Sequence, residues 1–387
     1  MMLLRFVNNH FLIAATVSIF LCVCIRDLKH NEVWQIQWFA SLFLASAWMS
    51  YIVGKRIHWT AGLAYSSVLL SSILVIATTS HPWSKFDLTS VFAIKKVVGL
   101  TTISFLFLTI PLLFAKRWHI DQIKTILSLA CIANVTFSLI QFVLGRRNIY
   151  TGGFIGVAGM SACFNAVIYP ILVYHDNPGS NYSSWYRKAW AFYCVFAPPV
   201  AGLITQSSMA FGVWVVTLIA LSVRAPTRIV AFIFGALVMM LSFATLSTMK
   251  ASLLSDSGRF RIWKAVTSYW YHYLPKLTGG GSGSGEAVIF GIQQKNGLYN
   301  GEVFLWLHND WLQLVFEQGL FGLVTVGLMF IAMLRKTWIT KSYLFASVLA
   351  FGATAMGNYP VHSAPFAWLG AFLVVAAFKV KRETWHK

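Results

Sequence analysis

The stretch IGVAGMSACFNAVIYPILVY, residues 155–174, contains no charged side chain. A bilayer's hydrocarbon core takes roughly 20 consecutive apolar residues of α-helix to cross, and this run has that length. It shows no period-2 alternation of the kind a barrel strand needs. Comparable runs recur along nearly the whole chain of 387 residues, with charges pushed into the short gaps between them. Hydrophobic residues make up 58% of the sequence and charged ones 11%. An ordinary soluble domain carries about 25% charged residues, so the hydropathy leaves no room for a soluble reading. Backbone polar groups in lipid must be satisfied within the chain. The expected fold is therefore all-α, a polytopic membrane protein of about 12 transmembrane helices.

The spans are expected near 10–25, 35–54, 60–79, 97–115, 125–144, 155–174, 189–206, 207–223, 229–247, 311–334, 342–358 and 364–379. The seventh and eighth are nearly continuous, and Pro198 and Pro199 are candidate breakers of that region. The chain thus divides into spans one to nine (1–247), one long outer loop (248–310), and spans ten to twelve with a tail (311–387). With the N-terminus inside, seventeen of the 30 Lys and Arg fall on the cytoplasmic side. Seven fall in short outer loops and six in 248–310. Cytoplasmic loops carry the excess of basic residues, so both termini are expected in the cytoplasm.

The formal charge is +19. In a soluble protein that suggests nucleic acid, but here the basic residues flank apolar runs, where they face anionic lipid headgroups. No separate basic domain exists to bind nucleic acid. Cys22, Cys24, Cys131, Cys163 and Cys194 all lie inside apolar runs and lack metal-site or disulfide spacing. No metal and no cofactor is expected.

The loop 248–310 is too long for a plain connector. Its first half reads as a helix, with Asp256 or Ser257 as cap, a stripe of Ile262, Val266, Trp270 and Tyr273, and Pro275 as its stop. The run from Gly279 to Gly285 is expected to be flexible. Three clusters carry candidate chemistry. The first is Leu307, His308, Asn309, Asp310, Trp311, Leu312 and Gln313, followed by Glu317, Gly319 and Gly322. A histidine there has the pKa range of a general base; the plainer alternative is an interfacial histidine before a helix capped by Asn309 or Asp310. Glu317 lies within a span, where a carboxylate is functional or paired by default. The second cluster is Asp256 to Trp263, where Arg259 and Arg261 offer planar bidentate donors to phosphate; the alternative is an ordinary basic helix end. The third is Gln141, Arg146, Arg147, Gly152 and Gly153, two outer arginines beside a flexible turn, either phosphate ligands or interface anchors.

Taken together these clusters resemble the bacterial O-antigen ligase and O-antigen polymerase superfamily, which acts on lipid-linked glycans. A motif of the form S-G-R-x-x-x-W is met by Ser257, Gly258, Arg259 and Trp263. A second, H-N-x-x-L-Q-x-x-x-E-x-G-x-x-G, is met by His308, Asn309, Leu312, Gln313, Glu317, Gly319 and Gly322. The resemblance covers roughly 125–379. One position departs: where the family often carries arginine in a T-x-S-R-x-A stretch, this chain has Ser208 within Thr205–Ala210. The resemblance implies a metal-independent inverting glycosyltransferase at the outer face of the bacterial inner membrane. Its donor would be a glycan on undecaprenyl diphosphate and its acceptor the lipid A core. His308 would act as base and Arg259 as the catalytic phosphate ligand. Arg261, Arg146, Arg147 and Glu317 would bind substrate. A polymerase, with a second lipid-linked glycan as acceptor, shares the motifs. A transporter or flippase for lipid-linked sugars is the alternative from another class.

Overall fold

The computed structural model describes residues 117–145, 155, 158–175, 184–205, 207–224, 259–280, 289, 291–292, 307–340, 342–358, 360 and 364–379. The expected spans at 10–25, 35–54, 60–79, 97–115 and 229–247 lie outside the described residues, as do Arg146, Arg147 and residues 256–258.

The described residues form eight α-helices: α1 (Arg117–Val143), α2 (Ala158–His175), α3 (Ser184–Ile204), α4 (Ser208–Arg224), α5 (Arg259–Tyr273), α6 (Asp310–Ile339), α7 (Leu344–Ala355) and α8 (Ala364–Lys379). Ile123–Val143 and Asp310–Ile339 are apolar and long enough to cross a membrane. The seven expected spans that fall on described residues each coincide with one helix, with most ends within about five residues and α1 starting earlier, at Arg117.

The core is centred on α2, which packs against α1, α3, α4 and α7; α7 in turn packs against α4, α6 and α8. The sequence explains why these two are the inner helices. Small residues, Gly159, Ser161, Ala162, Cys163 and Ala166 in α2 and Ala346, Ser347, Ala350 and Gly352 in α7, let neighbouring backbones approach. Large side chains from the rim fill the spaces between: Trp214 of α4 lies against Tyr169 of α2, and Phe366 of α8 against Phe164. One buried polar cluster in this core is paired across helices. The Asn134 amide of α1 donates to Ser161 Oγ at 2.8 Å and to Asn165 Oδ1 at 3.0 Å, both on α2.

Pro198 and Pro199 do not break the chain where expected: α3 runs through both to Ile204, and α4 begins at Ser208. Proline cannot donate to the carbonyl four residues back, so Pro199 leaves Val195 O without its helical partner. Tyr169 supplies the missing donor, its hydroxyl reaching Val195 O at 2.9 Å. The tertiary neighbour replaces what the local sequence removes.

The helix α6 has a different interruption. Gly319 sits at φ 65°, ψ −162°, a backbone conformation that only glycine adopts readily. In an unbroken helix Leu320 N would bond Phe316 O and Phe321 N would bond Glu317 O. Here the turn following α5 takes those places: Leu320 N donates to Lys276 O at 2.9 Å and Phe321 N to Leu277 O at 3.1 Å, while Gly280 N donates to Phe316 O at 2.9 Å. The turn and the helix share one hydrogen-bond ladder. Gly279 and Gly280 are consequently buried and fixed, contrary to the flexibility expected of this run; the remaining glycines at 281–285 lie outside the described residues. Lys276 holds the near side of the clasp. Its ammonium donates to Trp270 O at 3.2 Å, Leu274 O at 3.0 Å and Tyr271 O, closing the carbonyl end of α5, and lies over the Trp270 and Tyr271 rings.

Candidate functional site

The helix α5 lies along the first turns of α6 through an apolar seam of Ile262, Val266, Leu274, Leu307 and Phe316. The expected stripe holds at Ile262 and Val266 and half-holds at Trp270; Tyr273, in the last helical position, is 71% exposed. That seam sets the rotation of α5, and the rotation decides which arginine faces inward. Arg259 faces the bundle, and its Nη1 donates to Gly357 O at 3.1 Å, just beyond the carbonyl end of α7. Arg261 is two positions on, about 200° around the helix at 100° per residue, and is exposed. The two arginines do not converge.

One turn beyond Arg259 on the same side, Trp263 Nε1 donates to Leu307 O at 2.6 Å. Leu307 is buried in the seam. His308 follows with φ 50°, in the left-handed region that favours glycine. Asn309 returns to extended backbone and caps α6, its side chain accepting from Leu312 N at 2.9 Å. Between the two cap candidates the structure selects Asn309; Asp310 is the first helical residue. Trp311 Nε1 donates to Gly352 O of α7 at 3.2 Å. Gln313 Nε2 donates to Glu317 Oε1 at 2.9 Å, with both residues buried. Glu317 thus accepts a hydrogen bond from its own helix, two residues before the Gly319 break.

Burial pushes the His308 imidazole down from its ordinary 6.5 to about 4, and the positive charge of Arg259 adds to the effect. Arg259 and His308, 49 positions apart in sequence, therefore share one electrostatic environment. At neutral pH a permanent cation thus acts on a neutral imidazole.

The Thr205–Ala210 stretch also reaches this end of the bundle. A side chain at Gly357 would collide with the Met209 sulfur, and one at Gly159 would stand 2.9 Å from Ser207 Oγ. Ser207 caps α4, its hydroxyl accepting from Ala210 N at 3.3 Å. The first residues of α2 and α4 and the last of α7 therefore meet where Arg259 binds Gly357. Asn358, the next residue, donates to Cys163 Sγ of α2 at 3.5 Å. Sequence reading missed Gly357, Asn358 and the backbone role of Trp263. Trp263 was already visible as the last letter of its motif, whereas nothing in the sequence marks Gly357.

Of the expected site residues, Arg259 and His308 share one electrostatic environment, Glu317 lies one helical stretch deeper, Arg261 is exposed, and Arg146 and Arg147 fall outside the described residues. No protein-family model matches the chain. No curated protein matches it.

Proposed function

We propose that the chain is a membrane-embedded glycosyltransferase that moves a glycan from undecaprenyl diphosphate to an acceptor hydroxyl, in the manner of an O-antigen ligase with lipid A core as acceptor. The observation that carries this reading is the pairing of Arg259 with His308 by one short helix. A guanidinium binds a diphosphate by planar, charge-assisted hydrogen bonds, and an adjacent neutral imidazole accepts a proton. The two are the minimum set for transfer from a diphosphate leaving group.

In the proposed reaction the acceptor oxygen attacks the anomeric carbon opposite the phosphate. The new C–O bond forms as the sugar–phosphate bond breaks. The electron pair leaves with undecaprenyl diphosphate, whose charge Arg259 stabilises. The acceptor proton passes to His308 and from there to water. Attack from the opposite face inverts the anomeric centre. A pKa near 4 makes free His308 a weak base. Burial is the larger cause of that value and the Arg259 cation the smaller; a diphosphate on Arg259 offsets the smaller one, which strengthens the base when the donor is bound. No metal is needed if arginines carry the phosphate charge, and no cofactor enters.

The membrane setting rests on the runs described above and on α6. In place of the span expected at 311–334, its residues 320–339 would cover about 30 Å, with Arg335 and Lys336 in the inner headgroup region. They expose Leu320, Phe321, Val324, Leu328 and Ile331. No residue from 310 to 319 is exposed. We place the hydrocarbon boundary at the Gly319 break, with Arg259 and His308 on its outer side at headgroup level, where a lipid-borne diphosphate resides. The remaining parts of the reading are about 12 transmembrane spans, both termini in the cytoplasm, and the bacterial inner membrane as location.

The test is reconstitution in liposomes with undecaprenyl diphosphate glycan and, in separate reactions, lipid A core or a second lipid-linked glycan. Transfer to the first acceptor supports a ligase and to the second a polymerase. Arg259→Ala and His308→Ala should each lower turnover by about a hundredfold or more. Wild-type turnover in His308→Ala would remove the base, and no transfer to either acceptor would remove the reading.

A further inference from the structure

The helix that brings Arg259 to the site also grips the backbone on which His308 stands. Three consecutive residues are fixed there by three different means. The Leu307 side chain is buried in the α5–α6 seam and its carbonyl accepts from Trp263 Nε1 at 2.6 Å. His308 holds φ 50°, a conformation that persists in a non-glycine residue only where its surroundings over-determine it. Asn309 is tied by its side chain to Leu312 N at 2.9 Å. Of these ties the indole bond is the one that acts on the peptide joining Leu307 to His308. It is also the one that comes from α5.

We propose that Trp263 is a positioning residue for His308: its N–H orients the Leu307–His308 peptide and so holds the imidazole inward, beside Arg259. This builds on the reading of His308 as the acceptor-activating base. A ring at position 263 without an N–H donor would keep the packing of α5, including Phe260 against it. It would release the peptide, and the histidine would leave the left-handed region and turn towards solvent. Arg259 would keep Gly357 as its partner, so donor binding would survive while proton transfer suffered.

The experiment uses the full chain in lipid nanodiscs, as Trp263→Phe and, separately, with benzothienylalanine at position 263. The second replacement keeps the shape of the indole and exchanges N–H for sulfur, so it stays informative if the phenyl ring packs poorly. Two readouts apply to both. Carbethoxylation of His308 by diethyl pyrocarbonate, followed by mass spectrometry of its peptide, should quicken at least threefold. Glycan transfer should lose at least tenfold in kcat with the donor KM within twofold of wild type. An unchanged modification rate in both variants overturns the proposal, as does a raised KM with kcat intact. Should His308→Ala transfer glycan normally, the base assignment fails; the modification rate then still decides whether Trp263 positions the imidazole.

Discussion

Replacing Gly319 with alanine puts a methyl group where the clasp between α5 and α6 has no room. The added carbon would lie 2.5 Å from the Leu277 carbonyl carbon and oxygen and 2.7 Å from Gly279 N. All three are backbone atoms, so no flexible side chain can yield. Two escapes exist. If the backbone stays, alanine occupies a glycine-only conformation at about 1–3 kcal/mol and the turn must also move. If α6 straightens, it regains two helical hydrogen bonds, from Leu320 and Phe321, and loses the three of the clasp; at about 1 kcal/mol each that exchange costs little. The real expense of straightening is elsewhere. The outer turns of α6 would swing away from α5 and α7, breaking Trp263 to Leu307, Trp311 to Gly352 and the apolar seam. Either route costs about 3 kcal/mol or more. Gly327, in the same helix, provides the control. A carbon added there meets nothing within 4 Å, so Gly327→Ala should be neutral or stabilising by up to about 1 kcal/mol, the helix preference of alanine over glycine. The assay is denaturation of both variants in mixed micelles, with limited proteolysis of the 274–280 turn read in parallel. The reasoning fails if Gly319→Ala lies within about 1 kcal/mol of Gly327→Ala and the turn resists cleavage equally in both.

Three further outcomes are expected. Tyr169→Phe leaves Val195 O without its donor and should destabilise by about 1–2 kcal/mol; adding Pro199→Ala restores an N–H four residues on, so the double variant should recover part of the loss, and strict additivity in the cycle would dismiss the substitution of Tyr169 for the missing donor. His308 binds fewer protons folded than unfolded between its ordinary 6.5 and its folded value of about 4, so stability should fall as pH is lowered through that window and level off, for this group, below it; thermal midpoints from pH 7.5 to 4.5 should drop less steeply in His308→Gln than in wild type, and parallel slopes would contradict the shift. Asn134→Leu removes the donor to Ser161 and Asn165 in the core and should cost about 0.6–2 kcal/mol, measured by the same denaturation, whereas an increase in stability would mean that this pair is not a fastening of α1 to α2.

The helices were legible because apolar runs register long-range burial in local composition: α2 and α7 are visible as runs since they are surrounded on all sides. The interruptions were not. Pro198 and Pro199 look like breakers only while Tyr169 is out of sight, for the sequence records the missing donor and not the hydroxyl that replaces it. Gly279 and Gly280 read as slack for the same reason. A glycine signals that side-chain room or an unusual backbone angle is required, and both a loose loop and a tight clasp meet that description. The candidate site shows the same division. Arg259 and His308 could be singled out as candidates because the chemistry each side chain offers is intrinsic to it. Arg261 was grouped with Arg259 by proximity in sequence, but two positions along a helix are nearly opposite faces, and the seam that fixes which face turns inward is made with α6.

Bond geometry at α5 explains why the helix break and the candidate site belong to one construction. The short helix is fastened at three heights: Arg259 to the end of α7, Trp263 to the residue before His308, and the turn after Lys276 to the break in α6. A 15-residue helix on a long loop would ordinarily be free to pivot. The seam sets its rotation, and the two upper fastenings hold its first turns but leave its far end free to tilt. The clasp removes that freedom with backbone hydrogen bonds, which no side-chain motion can release. Gly319 lies roughly 17 Å along α6 from His308 at 1.5 Å per residue, so a defect at the clasp is levered across the full length of the seam. Substitutions at Gly319 or Gly279 should therefore reduce activity through the spacing of Arg259 and His308, and the His308 pKa should rise towards 6.5 in those variants as the guanidinium and the covering residues withdraw. A clasp variant that lost activity while His308 kept its depressed pKa, followed by histidine NMR titration, would separate the break from the site.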